Sequence, residues 1–200
     1  IRLSTSFLDT SELSPNIINM NFYLEDQSNS ITSTILSKCY SIGIENVVYL
    51  ILETHPMNSE LQFLSFTCLY QLALDSSMKS RLSNNLKLFS KLISIFHLNS
   101  THEFILFSSL QLLSRLCEND QKSCKYLIES GLCESLIWIL ERYLGNSHIV
   151  RYACKCISNI SLVDSNSKLL FYNCQSWNIL NSCLERYYLS PSVTSECCLA

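Results

Sequence analysis

The chain has 200 residues, 48% hydrophobic and only 16% charged, with a net charge of −3. That apolar content supplies a continuous core, while near-neutrality and the lack of any run of like charges exclude an acidic or basic tail and a general nucleic-acid footprint. Three glycines and three prolines are too few turn residues for an all-β fold, which leaves helices, and no stretch of about 18 apolar residues offers a membrane span.

In chain order, residues 1–30 form a poorly matched N-terminal segment. Residues 1–14 read as irregular, and Pro15 to Leu24 as the third helix of a partial unit. This end lacks the apolar centre of a signal peptide. Without an initiator Met, and with Ala200 falling inside a repeat, the chain reads as a piece of a longer protein. Asp26 to Gly43 is longer than its counterpart Asp120 to Gly131, so an insertion is expected there.

From residue 31 onward one apolar template recurs. Gln62-x-x-Ser65-x-x-Cys68-Leu69-x-x-Leu72-Ala73 is followed by Leu106-x-x-Ser109-x-x-Leu112-Leu113-x-x-Leu116-Cys117. Val150-x-x-Ala153-x-x-Cys156-Ile157-x-x-Ile160-Ser161 comes next, each copy 44 residues after the last. A fixed period of this length marks a helical solenoid. The units run approximately over 31–74, 75–118, 119–162 and a truncated 163–200.

The unit at 119–162 predicts three helices. Asp120 caps a first helix carrying Cys124, Tyr126, Leu127 and Ile128. Gly131 turns the chain into a second helix over Leu132 to Tyr143, with Leu136, Ile139 and Leu140 on one face. Gly145, Asn146 and Ser147 end it, and a third helix over about His148 to Leu162 carries the template. Gly43 occupies the position of Gly131 two periods earlier, ahead of the apolar run from Ile44 to Leu52; Lys87 and Gln175 stand there in the other units. Leu88, Leu92, Ile95 and Phe96, then Leu180 and Leu184, continue the second-helix face. Asp75, Asn119 and Asp164 mark helix breaks. Ser100 with Glu103 reads as a capping box, and Ser190-Pro191 as N-cap and first helical residue.

The cysteines number eleven, with no regular CxxC pair. Cys68, Cys117, Cys156 and Cys197 fall on the template as small core residues, which fits reduced thiols in the cytoplasm or nucleus. Cys154 and Cys156 point to different sides of one helix, so joint metal ligation is not expected. His55, His97, His102 and His148 lie near breaks as ordinary loop residues, and Glu118 and Asp120 as solvated carboxylates. No GxGxxG, P-loop, HExxH or GxSxG occurs. No enzyme activity, cofactor, metal or small-molecule substrate is expected.

Ser130-Gly131-Leu132, the Leu136 to Leu140 run and Ala153-x-x-Cys156-Ile157-Ser158-Asn159-Ile160-Ser161 together resemble armadillo repeats over residues 31–200. HEAT repeats usually lack the separate short first helix, and tetratricopeptide repeats have a shorter period. The resemblance implies an all-α, right-handed superhelix of three-helix units that binds an extended peptide in the groove of stacked third helices. Importin-α-like members read nuclear signals with a Trp four residues before an Asn. Here only Asn159 matches; Gln71 and Arg115 hold the other Asn positions, and Thr67, Gln111 and Lys155 the Trp positions, so that reader is not expected. Trp138 and Trp177 fall on or beside second helices, in core or rim.

Residues four apart share a helix face. Phe63, Thr67 and Gln71, then Phe107, Gln111 and Arg115, then Arg151, Lys155 and Asn159 therefore form three parallel ladders off the apolar template, expected to face out of the core. The amides suit a peptide backbone and the cations an acidic or phosphorylated partner. The expected function is a non-catalytic scaffold for a protein or peptide, with no nucleic acid or membrane as partner. The alternatives are a regulatory or substrate-recruiting segment of a larger enzyme such as a ubiquitin ligase, and a nuclear-transport adaptor.

Overall fold

The computed structural model describes residues 38, 39, 41–163 and 165–200. Among them are eleven α-helices and no strand. The chain divides into two compact units, Ile1–Ile42 and Gly43–Ala200. The expectations for residues 1–30, for the insertion before Gly43 and for Asp164 lie outside the described residues, wholly or in their greater part.

Within Gly43–Ala200 the helices are α1 (Ile44–Thr54), α2 (Ser59–Leu72), α3 (Ser76–Asn84), α4 (Leu86–Leu98), α5 (Glu103–Cys117) and α6 (Gln121–Glu129). They continue as α7 (Leu132–Arg142), α8 (Ser147–Ser161), α9 (Ser165–Asn173), α10 (Ser176–Tyr187) and α11 (Pro191–Leu199). The template helices α2, α5, α8 and α11 begin at 59, 103, 147 and 191, one period of 44 apart. Their mutual packing, α2 on α5, α5 on α8 and α8 on α11, is the most extensive among the described helices. No helix among the described residues is long and apolar enough to cross a membrane.

The core follows the template. Leu69, Leu113 and Ile157 are fully buried, as are Leu112, Leu116, Cys156 and Ile160. The small residues Ser65, Ser109 and Ala153 of the template are buried as well. A hydroxyl is tolerated in this core because it bonds within its own helix. Ser108, Ser109 and Ser114 donate to the carbonyls of Ile105, Leu106 and Gln111 at 3.0, 2.8 and 2.9 Å. Cys68 departs from expectation: it is exposed, because no template helix among the described residues covers that side of α2 as α5 covers α8. Leu180 and Leu184 are half-buried, and Cys183 is the deeper residue of α10.

Helix starts are chemically explicit. Asp75 accepts from the amides of Ser77 and Met78, Asp120 from Lys122 and Ser123, Asn58 from Leu61, and Asn146 from His148 and Ile149. Gly43, Gly131 and Gln175 precede α1, α7 and α10 with φ of 62°, 77° and 55°, so Gln175 carries the left-handed strain that glycine avoids. Lys87 does not occupy an equivalent turn. Asn85 caps α4 with φ of −83°, accepting from the Leu88 amide, and Lys87 lies inside the helix. Asn119, at φ of 56°, absorbs the one extra residue that separates Asp75 from Asp120. Ser100 and Glu103 form no capping box: His102 is the N-cap of α5 and bonds no amide through its ring. Ser190 and Pro191 do begin α11, although the Ser190 hydroxyl caps nothing.

Successive units are stitched by repeated tyrosines. Tyr143 donates to the Ser100 carbonyl at 3.0 Å, and one period later Tyr187 donates to the Leu144 carbonyl at 2.9 Å. Arg81 on α3 pairs with the buried carboxylate of Glu45 on α1.

Candidate functional site

Because α2, α5 and α8 lie side by side in register, the three expected ladders come together as one face. Phe63, Thr67, Gln71, Phe107, Arg115, Arg151, Lys155 and Asn159 are each partly exposed on it. Gln111 is the exception, at 5% exposure. Its amide is turned into the packing, donating to the Tyr152 hydroxyl at 3.2 Å.

One end of the face is aromatic. The Phe107 ring meets those of His148 and Tyr152 edge-on, with centroids 5.8 and 5.6 Å apart. The Arg151 guanidinium lies over the Tyr152 ring at 5.5 Å and forms no ion pair among the described residues. Its Nε, like the Thr67 hydroxyl, is buried without a hydrogen-bond partner among the described residues. An unpaired buried polar group of this kind costs about 1–3 kcal/mol.

The other end is committed to structure. Arg115 donates from Nε to the Ala73 carbonyl at 3.0 Å and from Nη2 to the Leu74 carbonyl at 3.1 Å, which closes the C-terminus of α2. Its remaining amino group holds Glu118. One period later Asn159 repeats the gesture, its amide donating to the Ser114 carbonyl at 3.0 Å near the end of α5. Lys155 pairs with Glu118 at 3.7 Å, and Lys79 donates to the Glu118 backbone carbonyl. Glu118, expected to be a solvated carboxylate at a helix break, is the hub between three elements.

The electrostatics follow. Burial pushes the Glu118 carboxyl up, but the Arg115 hydrogen bond and the charges of Lys155, Arg115 and Lys79 outweigh it and hold it below 4.5. Asp120 is likewise held below 3.8: burial opposes this, and bonds from the Ser123 hydroxyl and amide and the Lys122 amide prevail. Burial and the neighbouring Arg115 lower Lys79. Both carboxylates have folded-state values below their unfolded ones. Their contribution is therefore complete above about pH 4.5 and is lost as pH falls through the folded values. Urea titrations across the acid range are expected to show this decline, and Glu118→Gln to flatten part of it. An unchanged acid limb in that variant would remove Glu118 from the account.

A second constellation lies off this face. Cys154 of α8, Cys183 of α10 and Cys197 of α11 bring their sulfurs within 4.8 Å of one another. The Cys154 and Cys197 sulfurs are 3.4 Å apart, and none of the eleven cysteines forms a disulfide. Hydrogen bonds to Cys183 and Cys197, with burial, push Cys154 up. The Cys154 bond favours the Cys183 thiolate, but the bond to Cys197 and burial outweigh it and push Cys183 up to about 12. Cys197 is lowered because both other thiols donate to it. Cys156, which the helix spacing directs away from Cys154, is buried elsewhere and bonds weakly to the Leu110 carbonyl at 3.8 Å. The available signal was the 43-residue separation of Cys154 and Cys197, nearly one period. Nothing in the sequence pointed to Cys183.

The four histidines are exposed, and none joins a metal-binding group among the described residues. Trp138 and Trp177 are rim residues at 41% and 55% exposure, with Arg142 over the Trp138 ring at 5.4 Å. No protein-family model matches this chain, and no curated protein matches it.

Proposed function

We propose that Gly43–Ala200 is an armadillo-like α-solenoid and serves as a non-catalytic scaffold that binds an extended or helical peptide across α2, α5 and α8. The observation that carries this reading is the serial packing of the template helices, which aligns equivalent residues of successive units into one face. The open aromatic end supports an apolar or aromatic residue against Phe107, with a carboxylate or phosphate reaching Arg151. Arg115 and Asn159 serve as braces between units in this reading, and Lys155 is shared with Glu118. The thiols suit a reducing compartment, cytoplasm or nucleus.

Selection of peptides from a random displayed library against the 200-residue chain tests the proposal. Enriched peptides are expected to pair an acidic with an apolar residue. Their affinity is expected to fall by about tenfold or more in the Phe107→Ala/Arg151→Ala double variant, the loss of one good anchor. Trp177→Ala, exposed on α10, should bind as the parent does. Equal binding by parent and double variant would move the site elsewhere.

A further inference from the structure

We propose that Cys154, Cys183 and Cys197 form a trigonal site for a single thiophilic metal ion, monovalent copper. The junction of a template helix with the second and third helices of the next unit is built three times. Its positions hold Phe66, Ile95 and Ser109 in the first instance, Leu110, Ile139 and Ala153 in the second, and Cys154, Cys183 and Cys197 in the third. All nine residues are buried. The first two junctions are filled chiefly by hydrocarbon, so packing this corner does not call for sulfur. Three thiols also carry fewer side-chain atoms than either earlier trio.

The geometry suits one metal. An ion held about 2.3 Å from each of three sulfurs in a plane sets them about 4 Å apart. The Cys154 and Cys197 sulfurs are 3.4 Å apart and no pair of the three exceeds 4.8 Å, so small rotations of the side chains complete the triangle. Each sulfur comes from a different helix, and the site is dry, with exposures of 0%, 0% and 4%. No histidine, carboxylate or further thiol among the described residues supplies a fourth ligand. Structural zinc sites are tetrahedral and closed by four protein ligands. A three-sulfur, water-free site instead matches a soft ion content with three donors. Binding displaces thiol protons to solvent and leaves the copper oxidation state unchanged. The ion would tie α8 to α10 and α11.

The test is an anaerobic titration of the whole chain with Cu(I) supplied as its bicinchoninate complex, followed by X-ray absorption at the copper edge. One copper per chain withdrawn from the chelator, with a first shell of three sulfurs, is expected. The combined substitution Cys154→Leu, Cys183→Ile and Cys197→Ala restores the residue types of the preceding junction. It should therefore stay folded by circular dichroism while losing at least about tenfold in affinity, since even an outer-shell partner is worth roughly 10–100-fold. The exposed-cysteine variant Cys68→Ser/Cys198→Ser should retain the copper. Copper binding undiminished in the folded triple variant, a shell containing nitrogen or oxygen, or displacement by equimolar Zn²⁺ would each overturn the proposal.

Discussion

Replacing Leu113 with Ala is expected to lower the unfolding free energy by about 2–5 kcal/mol, the range for deleting a fully buried leucine. Leu113 is wholly buried on α5, and its equivalents Leu69 and Ile157 are wholly buried on α2 and α8. Since α5 packs against both α2 and α8, a shift of α5 that closes the cavity on one side opens the contact on the other. The hole therefore persists, and its cost adds to the lost transfer energy of the removed methyl groups. Urea unfolding followed by circular dichroism measures the change. Leu162→Ala, at 75% exposure just beyond α8, is the control and should stay within about 0.5 kcal/mol of the parent. A loss below about 1 kcal/mol at Leu113 would mean that the template helices do not share a continuous core.

Arg115→Ala is expected to cost about 2–3 kcal/mol, more than most surface substitutions. One guanidinium closes two carbonyls at the end of α2 and holds Glu118 beside Lys155. Its removal leaves those carbonyls to find water at a half-buried junction and frees a carboxylate that burial already disfavours. Arg115→Lys should recover less than half of the loss, because an ammonium cannot span both carbonyls and the carboxylate at once. Arg151→Ala, by contrast, breaks no ion pair among the described residues and removes an unpaired buried Nε along with its contact to Tyr152, so it is expected to destabilise clearly less than Arg115→Ala or not at all. Parallel urea titrations of the two variants separate an inter-unit brace from a residue turned toward a partner. If both lose the same amount, that distinction fails.

The amino-acid sequence by itself determined the helices, their order and their period. Apolar spacing is a local property: Leu69, Leu113 and Ile157 recur at 44 residues, and each sits at the same depth on its helix. Side chains acting within a turn or two were equally readable, as with Asp120 capping α6 and Gly131 turning into α7. The errors had two sources, a contact from a neighbouring repeat and a local cap that moved a helix start. Ser100 has the spacing of a cap, yet α5 starts later, and the Ser100 carbonyl is taken by Tyr143 from the next unit. Lys87 was placed by counting, yet Asn85 starts α4 early because its side chain reaches the Leu88 amide.

The face itself was legible as a set of positions. Which of those positions remain open to a partner was decided only by tertiary structure. Gln111 and Lys155 look equivalent in the ladder, but one is buried against Tyr152 and the other meets Glu118. Arg115 and Arg151 are both lone arginines on template helices, and only Arg115 finds carbonyls within reach. The three-thiol junction likewise depends on helices far apart in the chain. The physical reason is one of range. Helix formation and capping are settled within a few residues, whereas hydrogen-bond partners, ion pairs and converging sulfurs depend on distances of a few ångströms between segments some 40 residues apart, which the period brings together but does not specify atom by atom.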